Sequence, residues 1–358
     1  MSLPESFRHQ ARACLSLGSP MYADLLARAA DDLDHGGPTA EAVRGYEASA
    51  GPAALALRLA GSVHRLVLER RAGALATYYP SVGGRWDAES GWGAFRELLA
   101  AEPEAVREWL DRPPQTNEVG RSGALMAGLL TLTEAFGDVP IRLVELGSSG
   151  GLNLLVDRYR YETVDGRAVG PADSPVTLRG AWVGDVPLEA PWPRLVERVA
   201  TDVMPVDAAT TDGRLALTAY VWPDQEARHE RLRGALALAA RTPVTVRRAG
   251  AREVVDGLRL EDGALTVLWH SVMWQYLDRS EQQHVRAGID RLGAAATLEA
   301  PFAHLFLEPT RRTPDSDHEF LVVLESWPAE TRRILATSRG HGIPTVWEGP
   351  GRVTGSGG

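Results

Sequence analysis

The sequence contains no lysine, so all 38 of its basic residues are arginine. Three classes of active site each require a lysine: the phosphate-binding P-loop, the ATP site of protein kinases and the Schiff-base site of pyridoxal phosphate enzymes. The absence of lysine excludes all three for this chain.

Cysteine is almost absent as well. Cys14 is the single cysteine, so the chain cannot form an internal disulfide or a thiolate zinc site. The nine histidines include no HExxH pair of the kind that binds catalytic zinc. We therefore expect no metal site.

Long apolar runs and clustered positive charge are also lacking. No stretch of 18 consecutive apolar residues occurs, arginines are adjacent only in pairs, and the net charge is -9 at pH 7. A membrane-spanning helix and a nucleic-acid-binding surface are therefore not expected. We expect a soluble cytoplasmic protein whose partner is a small molecule or another protein.

One stretch organises the rest of the chain. From Ile141 to Leu154 a short apolar run with Glu145 breaks into glycines and serines, and apolar residues then return. This pattern predicts a strand, a tight turn and a helix. Gly147, Ser149 and Gly151 lie where small residues allow the backbone to approach a bound group, although an ordinary tight turn has the same pattern.

Residues 1–138 predict helices with no strand alternation. Ser19 before Pro20 is typical of a helix N-cap followed by proline at the first helical position. Five apolar residues repeat at helical spacing and predict one buried face: Leu55, Leu59, Val63, Leu66 and Val67. We expect this helical amino-terminal domain to cap the second domain or to form a homodimer.

From residue 139 to 352 the sequence predicts an α/β domain. The predicted later strands are 196–201, 243–248, 264–270, 302–308, 319–325 and 343–348, and the predicted helices are 215–240, 251–258, 280–292 with Ser280 as N-cap, and 328–339. Residues 159–193 predict a β-rich insertion with a hairpin turn at Asp165-Gly166. Residues 353–358 predict a disordered tail.

In the order of its elements, this domain resembles a class I S-adenosylmethionine-dependent methyltransferase. The segment 144–151 resembles the first motif of that family, 198–205 its second strand, and 265–276 its fourth strand with the residues that face the methyl group. The resemblance implies a Rossmann-like sheet of seven strands with an antiparallel edge. The whole chain also resembles an uncharacterised bacterial family defined only as a domain of unknown function.

The resemblance implies S-adenosylmethionine as cofactor. The residues that it assigns to cofactor binding are Glu145, Gly147, Ser149, Gly151, Asn153, Asp202 and Met204. Asp202, the expected ribose ligand, follows Gly147 by 55 positions, whereas about 20 are usual. An insertion at 159–193 accounts for the excess. Asp165, at 18 positions, is the alternative, but it lies in a hairpin-turn dipeptide.

His270 is the catalytic candidate, because it closes the most apolar strand and its imidazole can remove a proton near neutral pH. A role in shaping the pocket is the alternative. The candidates for substrate binding are Asn117, Glu118, Arg121, Trp274 and Tyr276. The first three also fit a helix-capping loop with an ion pair, and the aromatic residues also fit a core.

Two other functions remain open. Residues 147–151 form a GxSxG pattern in which Ser149 is a candidate hydrolase nucleophile that would pair with His304, His318 or His341. A hydrolase of that type has several strands before this turn, whereas about 140 helical residues precede it here. The other open function is that of a binding protein, which has a cofactor-binding fold and binds a ligand without catalysis.

Overall fold

The computed structural model of the protein describes residues 1–47, 54–112 and 114–349. The chain divides into one unit of residues 1–116 and 210–230 and a second unit of residues 117–209 with the chain from 231 onward. Residues 117–138, predicted to belong to the helical domain, therefore group with the second unit. The predicted tail at 353–358 lies outside the described residues.

The described residues contain eleven α-helices and eleven strands. The helices are α1 Leu3–Ser16, α2 Pro20–Asp34, α3 Pro38–Ala42, α4 Leu55–Leu68, α5 Ser90–Ala101, α6 Pro103–Arg107, α7 Ser122–Phe136, α8 Thr211–Ala219, α9 Glu226–Ala239, α10 Ala251–Gly257 and α11 Arg279–Ala295. The strands are β1 Pro140–Leu146, β2 Arg160–Thr163, β3 Ala168–Val169, β4 Thr177–Val183, β5 Arg194–Asp202, β6 Val246–Arg248, β7 Leu265–Ser271, β8 Phe302–Arg311, β9 His318–Trp327, β10 Thr331–Thr337 and β11 Thr345–Trp347.

The first unit is helical, as the sequence predicts. Ser19 caps α2 by accepting a hydrogen bond from the Tyr22 amide, and Pro20 follows at the first helical position. The predicted apolar stripe of α4 is buried. These local predictions are confirmed because they depend only on capping and on helical spacing. No described helix in either unit is both long and apolar enough to cross a bilayer.

The second unit is a mixed α/β structure built on one sheet. The strand order is β3-β2-β4-β11-β10-β9-β8-β7-β1-β5-β6, and the five strands from β8 to β6 are parallel to one another. Strands β9 and β10 are antiparallel to theirs. The sheet has eleven strands where seven were predicted. Three of the additional strands, β2, β3 and β4, come from 159–193 and join the sheet through the parallel pairing of β4 with β11, and the fourth is β10.

Three of the helical predictions after residue 200 differ from the structure. The predicted helix 328–339 is instead β10, because the open edge of β9 satisfies the backbone hydrogen bonds of this segment. The predicted helix 215–240 divides into α8 and α9, since Pro223 lacks an amide hydrogen and disfavours a helical residue before it. Asp278, not Ser280, caps α11 by accepting from the Glu281 amide.

Helices cover both faces of the sheet. Gly128 of α7 packs so closely on Leu305 of β8 that a Cβ would overlap the leucine side chain. On the other face, α10 and α11 bury Val255 and Ile289 against Leu268 and Phe302. Because strand residues alternate between faces, Leu305 and Phe302 belong to opposite faces. The site described below draws polar residues from both.

We predict that Asp278→Ala lowers the free energy of unfolding by about 1 kcal/mol, because the first turn of α11 loses its capping carboxylate. Ser280→Ala is the matched control, since Ser280 lies inside α11 and is exposed. Its expected change is less than about 0.5 kcal/mol. Chemical denaturation of both variants measures the difference, and a larger loss at Ser280 would contradict the capping assignment.

Candidate functional site

The glycine turn, residues 147–151, follows β1. Gly147, Ser149 and Gly151 have φ values of 68°, 54° and 72°, in the left-handed region that favours glycine. Ser149 tolerates this conformation because both of its backbone groups are bonded. Its amide donates to Asp202 Oδ2 over 2.8 Å, and its carbonyl accepts from the Val206 amide over 3.0 Å. The sequence therefore folds into a tight turn held from β5.

Asp202 closes β5 beside this turn. Its Oδ2 accepts from the Ser149 amide and its Oδ1 accepts from the Met204 amide, each over 2.8 Å. An ionised carboxylate has about four acceptor positions, so each oxygen retains room for another donor. Asp165, the alternative ribose ligand, instead accepts hydrogen bonds from Thr163 and Arg167 within its own hairpin.

The three predicted substrate residues that precede α7 are buried and hold backbone groups. Asn117 Oδ1 accepts from the Gly150 and Leu152 amides over 3.2 and 3.0 Å, so it holds the glycine turn. Glu118 accepts from the Gly120 amide over 2.9 Å. Arg121 donates to the carbonyls of residues 340 and 271. The contacts of Asn117 in particular shape the turn itself.

Glu145 lies under the turn at the end of β1. Its Oε1 accepts from Trp269 Nε1 over 3.2 Å and from Asn153 Nδ2 over 3.5 Å, and Asn153 in turn accepts from Ser122. Burial raises the pKa of Glu145 to about 8, and the charge of Asp202 adds to the rise, while the hydrogen bonds from Asn153 and Trp269 oppose it. Glu145 is therefore mostly a neutral acid at pH 7.

Glu145 also has one open position. Its Oε2 is buried, and within the part of the chain that the structure describes it has no hydrogen-bond partner. Because Oε1 accepts two hydrogen bonds, the proton of the neutral acid belongs on Oε2. A ligand group that accepts a hydrogen bond would satisfy it.

A cavity of about 400 Å³ adjoins the glycine turn. Its walls are residues 150–152 of the turn, the loop 205–209 after β5, and the segment 243–246 that leads into β6, with Leu155 and Ala239. The volume lies within the range of small-molecule sites, about 300–1,000 Å³. A Cβ on Gly151 would lie 3.0 Å from Cγ1 of Val244 and would belong to a residue with a φ of 72°, so both the space and the backbone favour glycine at this wall.

The glycine turn also meets the residues that follow β7. Strand β1 lies between β5 and β7, so the strand order reverses at this point, where ligands of open α/β sheets bind. A Cβ on Gly147 would lie 3.2 Å from Cβ of Met273. Trp274 is half-buried and Tyr276 is 46% exposed. The two predicted aromatic substrate residues therefore belong to a segment that packs on the turn.

His270, at the end of β7, is only 2% exposed. Its Nδ1 lies 2.8 Å from Glu308 Oε1 and its Nε2 lies 3.0 Å from Nε2 of His304. The ring stacks on Trp274 and on Phe306 with centroids 5.3 Å apart in each pair. Since both nitrogens are bonded, direct proton removal from a ligand requires one of these bonds to break.

Sequence reasoning missed two members of this cluster and misjudged a third. Glu308 and Glu325 were not selected, and His304 was considered only as a partner of Ser149. His304 and Glu308 lie on β8 with an even spacing, so they share one face, and two polar residues in an apolar strand were the available signal. The pairing with Glu325 depends on β9, which the local pattern does not specify.

Glu308 also holds the segment after β7. Its Oε1 accepts from the Met273 and Trp274 amides over 2.9 and 3.2 Å, in addition to His270. Val272, just before, has a φ of 51°, a conformation that is strained for a β-branched residue. The carboxylate therefore fixes a strained segment that carries the two aromatic residues.

These contacts give little support to Ser149 as a hydrolase nucleophile. Of the histidines proposed as its partner, His304 has both ring nitrogens bonded to Glu325 and His270. His318 is exposed at the start of β9. Ser149 does share the positive φ of a sharp strand-to-helix turn, but Asp202 holds its amide.

Residues 4–347 match the model of a family described as "Uncharacterized protein conserved in bacteria (DUF2332)", and the chain belongs to that family. The predicted likeness to an uncharacterised bacterial family is thus confirmed. No curated protein and no solved structure matches the chain. The family description names no reaction, so the function must be argued from the site.

We predict that Glu145→Gln changes the pH dependence of stability. The folded-state pKa of Glu145 is raised from 4.5 to about 8, so its contribution to stability is complete below pH 4.5 and is lost as the pH rises through 8. The free energy of unfolding of the wild type minus that of the variant should therefore fall by about 4 kcal/mol between pH 5 and pH 9.

Chemical denaturation at several pH values measures this difference. Glu189→Gln, at an exposed position of the same unit, is the control for removing a carboxylate, and it should preserve the wild-type pH profile. Parallel profiles for the wild type and Glu145→Gln would show that Glu145 does not hold a proton in the folded state.

Proposed function

We propose that this member of the family is an S-adenosylmethionine-dependent methyltransferase that acts on a small molecule or a protein side chain. One observation carries the proposal: the carboxylate at the end of β5 is bonded to the glycine turn after β1, beside a cavity of about 400 Å³. The two segments that resemble the cofactor motifs are distant in sequence, and they meet at a ligand-sized space.

The strand order supports the same proposal. In the sheet, the first five methyltransferase-like strands are arranged in the order third, second, first, fourth and fifth, which are β6, β5, β1, β7 and β8. Strand β9, beside β8, is antiparallel to it. The remaining strands extend the sheet beyond β9. One local departure is the short 3-10 helix Leu152–Arg158, which takes the place of the helix expected after the turn.

The residues at the turn fit the proposed cofactor. Asp202 retains acceptor positions for two ribose hydroxyls, and Gly147 and Gly151 leave no side chain between the backbone and a ligand. Glu145 offers the proton of a neutral acid from its open Oε2. The bound cofactor would supply an electrophilic methyl group on a positively charged sulfur. Trp274 has an aromatic ring suited to contact a cation.

In this proposal the protein contributes chiefly alignment. Methyl transfer needs the nucleophile, the methyl group and the sulfur in line, and a general base is secondary. His270 therefore acts as a positioning residue, because both of its nitrogens are bonded and it supports Glu308 and Trp274. Tyr276, which is the most exposed of the predicted substrate residues, is the side chain best placed to contact a large substrate.

A ligand-binding module without catalysis is the second candidate, and the engaged nitrogens of His270 favour it. Both candidates bind the cofactor, but only an enzyme transfers its methyl group. Incubation with cofactor labelled on the methyl carbon and a bacterial metabolite extract separates them, because transfer of label is expected only from the enzyme.

We predict that S-adenosylhomocysteine binds the wild type and that Asp202→Asn weakens binding at least about tenfold. The reason is that an amide oxygen is a weaker acceptor than a carboxylate, and hydrogen bonds to charged groups contribute about 1.5–3 kcal/mol. Isothermal titration calorimetry measures both affinities. Asp165→Asn, at the alternative ribose ligand, is the matched control and should bind like the wild type.

Two outcomes would count against the proposal. No heat of binding with the wild type would rule out the cofactor, and an unchanged affinity of Asp202→Asn would rule out its ribose ligand. Because Asp202 also holds two backbone amides, thermal unfolding of the ligand-free variant is measured in parallel. A folded Asp202→Asn variant with weakened binding separates the contact with ligand from a general loss of structure.

A further inference from the structure

Four buried side chains form a series of hydrogen bonds on the α11 face of the sheet. Glu308 Oε1 lies 2.8 Å from His270 Nδ1, His270 Nε2 lies 3.0 Å from His304 Nε2, and His304 Nδ1 lies 2.8 Å from Glu325 Oε2. We refer to these four residues as the acid–base chain. All four belong to neighbouring strands β7, β8 and β9.

The number of protons in the acid–base chain follows from its bonds. Three hydrogen bonds in series require three protons, whichever group carries each of them. Two neutral imidazoles supply only two. The acid–base chain must therefore hold one additional proton. The reference for this count is two neutral histidines with two ionised carboxylates.

The surroundings of the carboxylates place the third proton on the imidazoles. Glu308 Oε1 already accepts from two backbone amides, so the proton in its contact with Nδ1 of His270 belongs to the ring. Glu325 lies 2.7 Å from Nη1 of Arg286. Burial alone would raise the pKa of Glu325, but His304 and Arg286 lower it to about 2. Neither carboxylate oxygen that faces an imidazole therefore carries the proton of that hydrogen bond.

Of the two imidazoles, His304 is the one on which burial disfavours a charge. Burial, the largest cause, and the neighbouring His270 lower the pKa of His304 to about 4, although Glu325 opposes this change. His270 has Glu308 as its hydrogen-bond partner and lies against the rings of Trp274 and Phe306. Aromatic faces stabilise a cation at such distances.

We propose that His270 and His304 are one acid–base unit that stores a proton at neutral pH and holds it next to Glu308, beside the segment after β7. The stored proton lies in the N···N hydrogen bond between the two rings. The ligand class that this arrangement recognises at Glu308 is a group with N–H or O–H donors, such as an amine or a hydroxyl.

The two ends of the acid–base chain differ in accessibility. Glu308 Oε2 is buried and, among residues 1–47, 54–112 and 114–349, has no hydrogen-bond partner, so it is the open acceptor for a ligand. At the other end Glu325 meets Arg286 of α11, which also binds Asp290, and it lies 3.5 Å from Nε of Arg332 of β10. These are the charged groups that face the acid–base chain from the packed helix and strands.

Proton movement toward α11 is chemically balanced. The Nε2 proton of His270 passes to Nε2 of His304, and His304 releases its Nδ1 proton to Glu325, so that one bond to hydrogen breaks and one forms at each transfer. No electron is gained or lost. His270 is then neutral and Glu325 is protonated. The proton count is independent of methyl transfer, whereas the recognition of a substrate amine or hydroxyl rests on the proposed function.

Nitrogen-15 NMR of the histidine side chains in the ligand-free full-length protein tests the stored proton. At pH 7 we expect three protonated nitrogens among the four ring nitrogens of His270 and His304. His304→Leu removes the acceptor for His270 Nε2, so His270 should lose that proton and show one protonated ring nitrogen in place of two. His304→Gln supplies an amide oxygen and an amide hydrogen, so it should restore the doubly protonated ring.

His284→Gln, on the exposed side of α11, is the control and should leave both rings unchanged. Two singly protonated rings in the wild type would overturn the proposal, as would an unchanged His270 spectrum in His304→Leu. If His304→Leu does not fold, the proton count of the wild type decides alone. Because no cofactor is present, this result is independent of the calorimetric test of the proposed function.

Discussion

The carboxylate of Asp202 is the contact on which the candidate site depends. It bonds the amide of Ser149, a non-glycine residue with positive φ, and the amide of Met204 at the start of the loop 205–209. That loop forms one wall of the cavity and the glycine turn forms another. A single anion therefore fixes both walls, and Asn117 holds the turn from the opposite side.

Burial has opposite consequences on the two faces of the sheet. On the α7 face, Glu145 accepts hydrogen bonds from the neutral donors Trp269 and Asn153, and burial favours its protonated form. On the α11 face, Glu325 is also buried, but Arg286 and His304 are close enough to keep it ionised. The two buried carboxyl groups therefore differ in protonation because charged partners lie within hydrogen-bond distance of Glu325.

The sequence predicted the features that depend on local physics. The cap of α2 and the buried stripe of α4 follow from residue spacing, and the glycine turn follows from an apolar run that ends in small residues. The predicted helix at 328–339 was wrong, because the open edge of β9 determined the conformation of 331–337. The contact of His304 with Glu325 joins two strands, so no local pattern specifies it.

The acidic residue that bonds the glycine turn is a second feature that residue spacing did not identify. Spacing alone favoured Asp165, whereas the position of Asp202 at a strand end favoured Asp202, and the structure brings Asp202 to Ser149. A strand end is a better guide than a count of residues, because insertions change the count without moving the end of the strand.

The inserted strands are connected to the site through α7. Trp182 of β4 donates from Nε1 to the carbonyl of Gly123 over 2.8 Å, near the start of that helix. The preceding residue, Ser122, donates to Asn153, which in turn donates to Glu145. Strand β4 therefore supports the hydrogen-bonded series that ends at the neutral acid under the glycine turn. The segment 159–193 is thus an integral part of the sheet, and its removal would free both the edge of β11 and the start of α7.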